Sequence, residues 1–262
     1  PLSVDYDYLH KLEEGRIDEI RPCTRCMHCH WDAADDGNLT FSCRTNAAHP
    51  FRFVTGQLTG SYDPEPAATA KNVVVVGAGP AGLEAARVAA ERGHSVTLYE
   101  KKGSVGGLLE FANNVKGPHE NLSVLRSYFE RQMEVLGVNV MLNTEATADI
   151  IAEASPDIVI AATGGVRDTL GLSDTAGTKV VGIDDFMMAD IAEEVVIVGS
   201  NVQAIDAAMH LLAQGKHVQV VTPNAASAIG AGHSFWVKTF TQPNMKALGV
   251  RFWPEATVTA VN

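Results

Sequence analysis

Four consecutive valines, Val73 to Val76, form an uninterrupted apolar run long enough for one fully buried strand. The run ends in Gly77-Ala78-Gly79-Pro80-Ala81-Gly82. An alanine-rich stretch with helical character follows to Arg92, then Gly93, then a second strand, Ser95 to Tyr99, that closes on Glu100. Residues 119–136 carry Leu122, Leu125, Phe129, Met133 and Leu136 at steps of three and four, which predicts an amphipathic helix with those side chains in a core. Gly137 ends it, Val138 to Leu142 alternate as a strand, and Asp157 to Ala162 read as another buried strand that runs into Thr163-Gly164-Gly165. The strand, turn, helix, strand order then recurs: Glu194 to Val198, Gly199-Ser200-Asn201, a helix ending near Gly215, and His217 to Val221. A last strand-like stretch, TVTAV, occupies residues 257–261. Near the N-terminus, residues 5–20 read as a short helix with Leu9, Leu12 and Ile20 as apolar anchors, ended by Arg21-Pro22.

Strands alternating with helices predict an α/β fold with parallel sheets. The glycine pattern sharpens this to a Rossmann-like unit, because GxGxxG here follows a strand, opens a helix and has its acid at the end of the next strand. Gly77 permits the sharp turn, Gly79 lets the backbone approach a pyrophosphate, and Gly82 lets the helix pack close to the strand. The helix N-terminus offers free N–H groups and a positive dipole end to that pyrophosphate. Glu100 is placed to accept from a ribose hydroxyl pair. The ligand expected is an ADP-containing dinucleotide; the competing reading is a glycine turn in some other α/β unit. Gly103-Ser104-Val105-Gly106-Gly107-Leu108 suggests a second close backbone approach, or else an ordinary flexible loop. In the repeat, Asn201 replaces the middle glycine and Thr222 replaces the acid. Asn tolerates positive φ, so the turn can form, but its side chain crowds the pyrophosphate path. NAD(P)H binding there stays open. Loss of the acid could mark NADP preference, but no Arg follows Val221.

Composition narrows the classes. The chain has 262 residues, enough for two domains, and 46% hydrophobic residues, which fits a globular protein. A net charge of −11 with no Lys/Arg run argues against nucleic acid and anionic membranes as partners. No apolar stretch approaches a membrane span and the N-terminus does not read as a signal peptide, so a cytoplasmic location is expected. All four cysteines lie between residues 23 and 43, in the spacing C-x2-C-x2-C-x13-C: Cys23, Cys26, Cys29 and Cys43. A secreted disulfide scaffold would scatter them, whereas clustering points to a metal. Four thiolates suit the corners of a [4Fe–4S] cluster. Zinc remains the alternative, with His28, His30 and His49 nearby, and buried thiols or disulfides are further options. Residues 57–70, rich in Gly, Pro, Ser and Ala, read as a linker, giving a cysteine module over 1–66, a FAD/ADP-binding domain over 67–167 and a degenerate, incomplete NAD(P)-type domain over 168–262.

Taken together, Glu14-Gly15-Arg16-Ile17-Asp18-Glu19-Ile20-Arg21, the four cysteines, Gly77 to Gly82, Glu100, Val105-Gly106-Gly107 and Ala162-Thr163-Gly164 resemble the old-yellow-enzyme-related iron–sulfur flavoproteins. These include 2,4-dienoyl-CoA reductase, 2-enoate reductases, and trimethylamine and histamine dehydrogenases. The resemblance implies an oxidoreductase electron-transfer portion. Cys23, Cys26, Cys29 and Cys43 would hold the [4Fe–4S] cluster. FAD, or ADP alone, would sit against Gly77, Ala78, Gly79, Pro80, Ala81, Gly82, Glu100, Lys101, Gly106, Gly107, Leu108, Ala146, Ala162, Thr163 and Gly164. It further implies FMN on a TIM-barrel domain or subunit absent from this chain, residues 1–20 being similar to that barrel's last helix. The barrel would reduce enoyl or enone substrates or oxidise amines, with NAD(P)H or an electron-transfer flavoprotein as redox partner and an oligomer possible. No catalytic side chain is expected within this chain. The alternative is a non-catalytic, zinc-stapled, ADP-binding scaffold.

Overall fold

The computed structural model describes residues 4–30, 43–46, 64–117, 120–165, 167, 171–175, 177–233 and 235–261. These fall into two compact units, with the main division after Gly165.

The first unit is organised around β1 (Asn72–Val76), whose Val73, Val74 and Val75 are at most 2% exposed. Side chains buried on both strand faces stabilise by ~1.5–3 kcal/mol each relative to exposure, which is why an uninterrupted valine run becomes a central strand. After β1 come α2 (Pro80–Glu91), β2 (Ser95–Tyr99), α3 (Leu109–Lys116), α4 (Leu122–Val135), β3 (Asn139–Met141), α5 (Ala148–Glu153) and β4 (Ile158–Ala161). The sheet order is β3-β2-β1-β4, with every pairing parallel. Crossover helices α2 and α4 pack on it through Leu83, Ala86, Leu125, Phe129 and Met133. The amphipathic helix expected over 119–136 is therefore present, and Tyr128 and Gln132 join its buried face.

The N-terminal segment departs from expectation. It forms a helix only over α1 (Tyr8–Glu13) and a single 3-10 turn at Ile17–Glu19. Leu9 and Leu12 do not anchor it to a core: they are 58% and 46% exposed. The segment is held instead by polar contacts, among them Lys11 to Asp5 at 2.9 Å and Arg131 to Asp18 at 2.9 Å.

The second unit repeats the arrangement with β5 (Glu194–Val198), α6 (Val202–Ala213) and β6 (His217–Val221), again parallel. Its third strand is β7 (Arg251–Trp253), after α7 (Phe235–Ala247), and the order is β5-β6-β7. The expected strand over 257–261 does not form; the pairing partner of β6 lies a few residues earlier. Ile205, Ala208, Leu211, Val218, Val220 and Met245 are buried in this unit. Among the described residues, no helix is long and apolar enough to cross a membrane.

Candidate functional site

The first glycine turn lies at the C-terminal end of β1, between the ends of β2 and β4. Gly77 has φ +98, and its N–H donates to the Tyr99 carbonyl at 2.8 Å. A Cβ at Gly77 would stand 2.4 Å from the Ala162 carbonyl oxygen, and one at Gly82 would stand 1.9 Å from the Gly77 carbonyl oxygen. Both glycines are therefore needed for packing of the turn, β4 and α2 on one another. Gly79 differs: its φ of −73 suits any residue and a Cβ there would meet nothing within 4 Å. That open space is where a ligand can approach α2, whose first position is Pro80 and whose N-terminus has no side-chain cap.

Around this space the structure gathers most of the expected contacts. Gly106 N–H donates to the Ala78 carbonyl at 2.8 Å, and a Cβ on Gly107 would lie 2.9 Å from the Gly79 Cα. The loop 103–108 is thus packed on the turn rather than free of it. Ala162 N–H donates to the Val76 carbonyl at 2.8 Å, bringing Ala162, Thr163 and Gly164 to the same sheet edge. Pro80, Ala81, Lys101 and Leu108 are exposed at this edge. Ala146 is half-buried just before Thr147, which caps α5, and follows Thr144, whose N–H donates to the Glu100 carbonyl at 2.9 Å.

Glu100 is buried, and its carboxylate has protein partners: the Ala78 N–H donates to Oε2 at 2.8 Å and the Lys102 N–H to Oε1 at 2.9 Å. Each oxygen keeps a second lone pair, so two ribose hydroxyls can still be accepted. The residues present fit an ADP-containing group: a glycine-lined cradle, a helix start and a carboxylate with spare acceptor capacity.

None of the four cysteines is in a disulfide; Cys23 is exposed and Cys26, Cys29 and Cys43 are half-buried. Arg25 and Met27, flanking Cys26, have φ of 60 and 58, and the Arg25 N–H donates to the Cys23 sulfur at 3.4 Å. Left-handed residues on either side of Cys26 favour a backbone nest whose N–H groups can point at a thiolate, as the Arg25 N–H does. Thr45 Oγ1 lies 3.3 Å from the Cys43 sulfur and donates to the Pro22 carbonyl at 3.4 Å, so the Cys43 strand is tied to the one carrying Cys23. The four thiols and the N–H···S contact at Cys23 have the donor chemistry of an iron–sulfur site, but their side chains do not converge on one point. Among the described residues, no group of three or more His, Cys, Asp or Glu side chains is arranged to hold a metal ion. His49, the His30 side chain and residues 57–63 of the linker lie outside what is described.

One cluster had no signal in the sequence. Arg21, 6% exposed, bonds Glu84 on α2 at 3.2 Å, donates to the Thr45 carbonyl and lies 5.0 Å from the Tyr128 ring centre. Arg87 completes the pair with Glu84 at 2.9 Å. Burial alone would push the Glu84 carboxyl up, but the hydrogen bond from Arg87 and the two guanidinium charges outweigh it and hold the group below the ordinary glutamate range. Burial likewise raises the Tyr128 hydroxyl. On the other side, the Thr24 carbonyl accepts from the Asn121 N–H at 3.3 Å, and the Arg25 guanidinium donates to Asn121 Oδ1 at 2.6 Å. The strip bearing Cys23 and Cys26 is thereby pinned to α2 and α4.

Residues 71–262 match the family model described as pyridine nucleotide-disulphide oxidoreductase. The chain belongs to that family. It is 34% identical over 223 residues to the cinnamate reductase of Clostridium sporogenes, covering 84% of this chain and 32% of that protein. It is 30% identical over 255 residues to the dimethylamine dehydrogenase of Hyphomicrobium sp., covering 91% and 32%. A solved structure of 2-naphthoyl-CoA reductase with 2-naphthoyl-CoA superposes with a TM-score of 0.79 at 30% identity, over all of this chain and 39% of that one. The expected resemblance to the old-yellow-enzyme-related flavoproteins therefore holds, and the chain spans about a third of the length of the curated relatives it matches.

Proposed function

We propose that this chain is the electron-transfer portion of an iron–sulfur flavoenzyme, holding FAD at the Gly77–Gly82 turn and a [4Fe–4S] cluster on Cys23, Cys26, Cys29 and Cys43. The observation that carries the proposal is the open space at Gly79, bounded by Gly107, Glu100 and the start of α2, beside a cysteine strip pinned to the same unit. When bound, the flavin and cluster supply the one- and two-electron chemistry. The chain's residues do the rest. Backbone N–H groups at the start of α2 neutralise a pyrophosphate, Glu100 fixes a ribose, and the Arg25 N–H withdraws charge from a ligating sulfur.

Substrate chemistry belongs, in this proposal, to an FMN-bearing TIM-barrel domain or subunit that reduces enoyl or enone compounds or oxidises amines. Relatives named as a reductase and as a dehydrogenase support both directions. The exposed Leu9, Leu12 and Ile17 support a segment that packs against such a domain.

An anaerobic absorption spectrum, read beside iron, sulfide, zinc and extracted nucleotide, tests the proposal. Flavin bands over a broad visible shoulder, with iron and sulfide, are expected, and Cys26→Ala abolishes the shoulder. Zinc without sulfide would overturn the cluster in favour of a zinc-stapled scaffold, and ADP without flavin would overturn FAD.

A further inference from the structure

The two units carry the same turn, residue for residue, and the second copy is filled from within. Gly77, Ala78, Gly79, Gly82 and Glu100 correspond at constant spacing to Gly199, Ser200, Asn201, Ala204 and Thr222. Their backbone bonds correspond too. Gly199 N–H donates to the Val221 carbonyl at 2.8 Å as Gly77 does to Tyr99, and Gly230 N–H donates to the Ser200 carbonyl at 2.7 Å as Gly106 does to Ala78. Thr222 N–H donates to the Trp253 carbonyl at 3.0 Å as Glu100 does to Met141 at 2.9 Å. Even the residue before the helix has one conformation: φ −73, ψ 176 at Gly79 and φ −73, ψ −177 at Asn201.

Identical backbones with different side chains show what has changed. The direction that is open space at Gly79 is the direction in which Asn201 projects its side chain. Its Oδ1 accepts the Ala204 N–H at 3.1 Å, capping α6 and taking a donor that a pyrophosphate oxygen would otherwise use. At the ribose position Thr222 is fully buried, with its hydroxyl 2.9 Å from Ser200 Oγ and accepting the Asn224 N–H at 3.2 Å. A neutral hydroxyl so buried and engaged carries no charge and is not presented to a ribose, whereas the Glu100 carboxylate keeps a second lone pair on each oxygen. Positive φ is not what Asn201 contributes: Gly199 takes that conformation, at φ +125.

We propose that Asn201 and Thr222 close the second unit to ADP-containing dinucleotides, so that this chain does not exchange hydride with a nicotinamide there despite its family. The inference concerns the second turn alone and does not depend on FAD or a cluster in the first unit.

The test is titration of NADH and NADPH into the full chain after saturation with FAD, by calorimetry or equilibrium dialysis, for wild type, Asn201→Gly and Asn201→Gly/Thr222→Glu. Wild type is expected to show no saturable binding at millimolar nucleotide. Asn201→Gly, which keeps the backbone conformation and frees the Ala204 N–H, should bind at least about tenfold more tightly, and the double variant more tightly again. Circular dichroism checks that each variant is folded; if the buried Glu prevents folding, the single variant carries the test. Micromolar binding by wild type overturns the proposal. So does a folded Asn201→Gly with no gain, which would place the closure elsewhere.

Discussion

At the scale of single residues, the first turn separates packing from binding. Gly82 has no room for a methyl group, because the obstacle is a backbone carbonyl; Gly82→Ala is expected to destabilise the first unit by about 1–3 kcal/mol in denaturant melts. Gly79 has room and ordinary dihedrals, so Gly79→Ala should change stability by no more than about 1 kcal/mol. Its effect falls on the ligand: nucleotide affinity should drop at least about tenfold, measured by flavin retention on dialysis. Undiminished retention would show that the pyrophosphate does not approach α2 at Gly79. Neighbouring glycines in one motif thus answer to different measurements.

Elements are joined here by charge where apolar contact is sparse. The N-terminal strip has an exposed helix and few buried apolar side chains, yet Arg21 is held against α2 and α4 by Glu84, the Thr45 carbonyl and the Tyr128 ring. Glu84 titrates below its ordinary range when folded, so its contribution is complete above that range and is lost as pH falls through the lowered value. Glu84→Gln should lower the melting temperature at neutral pH and bring the wild-type and variant curves together below the ordinary glutamate range. Curves that stay parallel down to acid pH would mean the Arg21–Glu84–Arg87 group stabilises nothing through its charge. A buried guanidinium left without its carboxylate is costly, so the loss at neutral pH is expected to be about 1–3 kcal/mol.

For the whole molecule, the two turns predict a stoichiometry. A chain with one open and one closed site should carry one flavin or ADP per polypeptide after exhaustive reconstitution, beside about four irons from four cysteines. Two nucleotides per chain would contradict the closed turn. Much of this architecture was legible in residue order. The valine run, the glycine spacing and the leucine periodicity of α4 each dictate a local conformation that neighbours in sequence are enough to specify. For that reason the parallel α/β fold, the repeat and the first binding turn follow from sequence. The sequence was a poorer guide where the deciding partner is remote. Leu9 and Leu12 have near-helical spacing yet stay 58% and 46% exposed. The stretch at 257–261 alternates like a strand but has no pairing partner among the described residues, while β7 pairs with β6. Arg21 and Glu84 meet only after β1 and α2 have packed, and no local pattern links them. Asn201 is the clearest division between the two. Sequence alone established that a glycine had been replaced, while only the folded turn showed that the new side chain caps α6 and fills the space its counterpart leaves open. Tertiary structure decides such matters because the competing partners for one N–H are brought together by the fold.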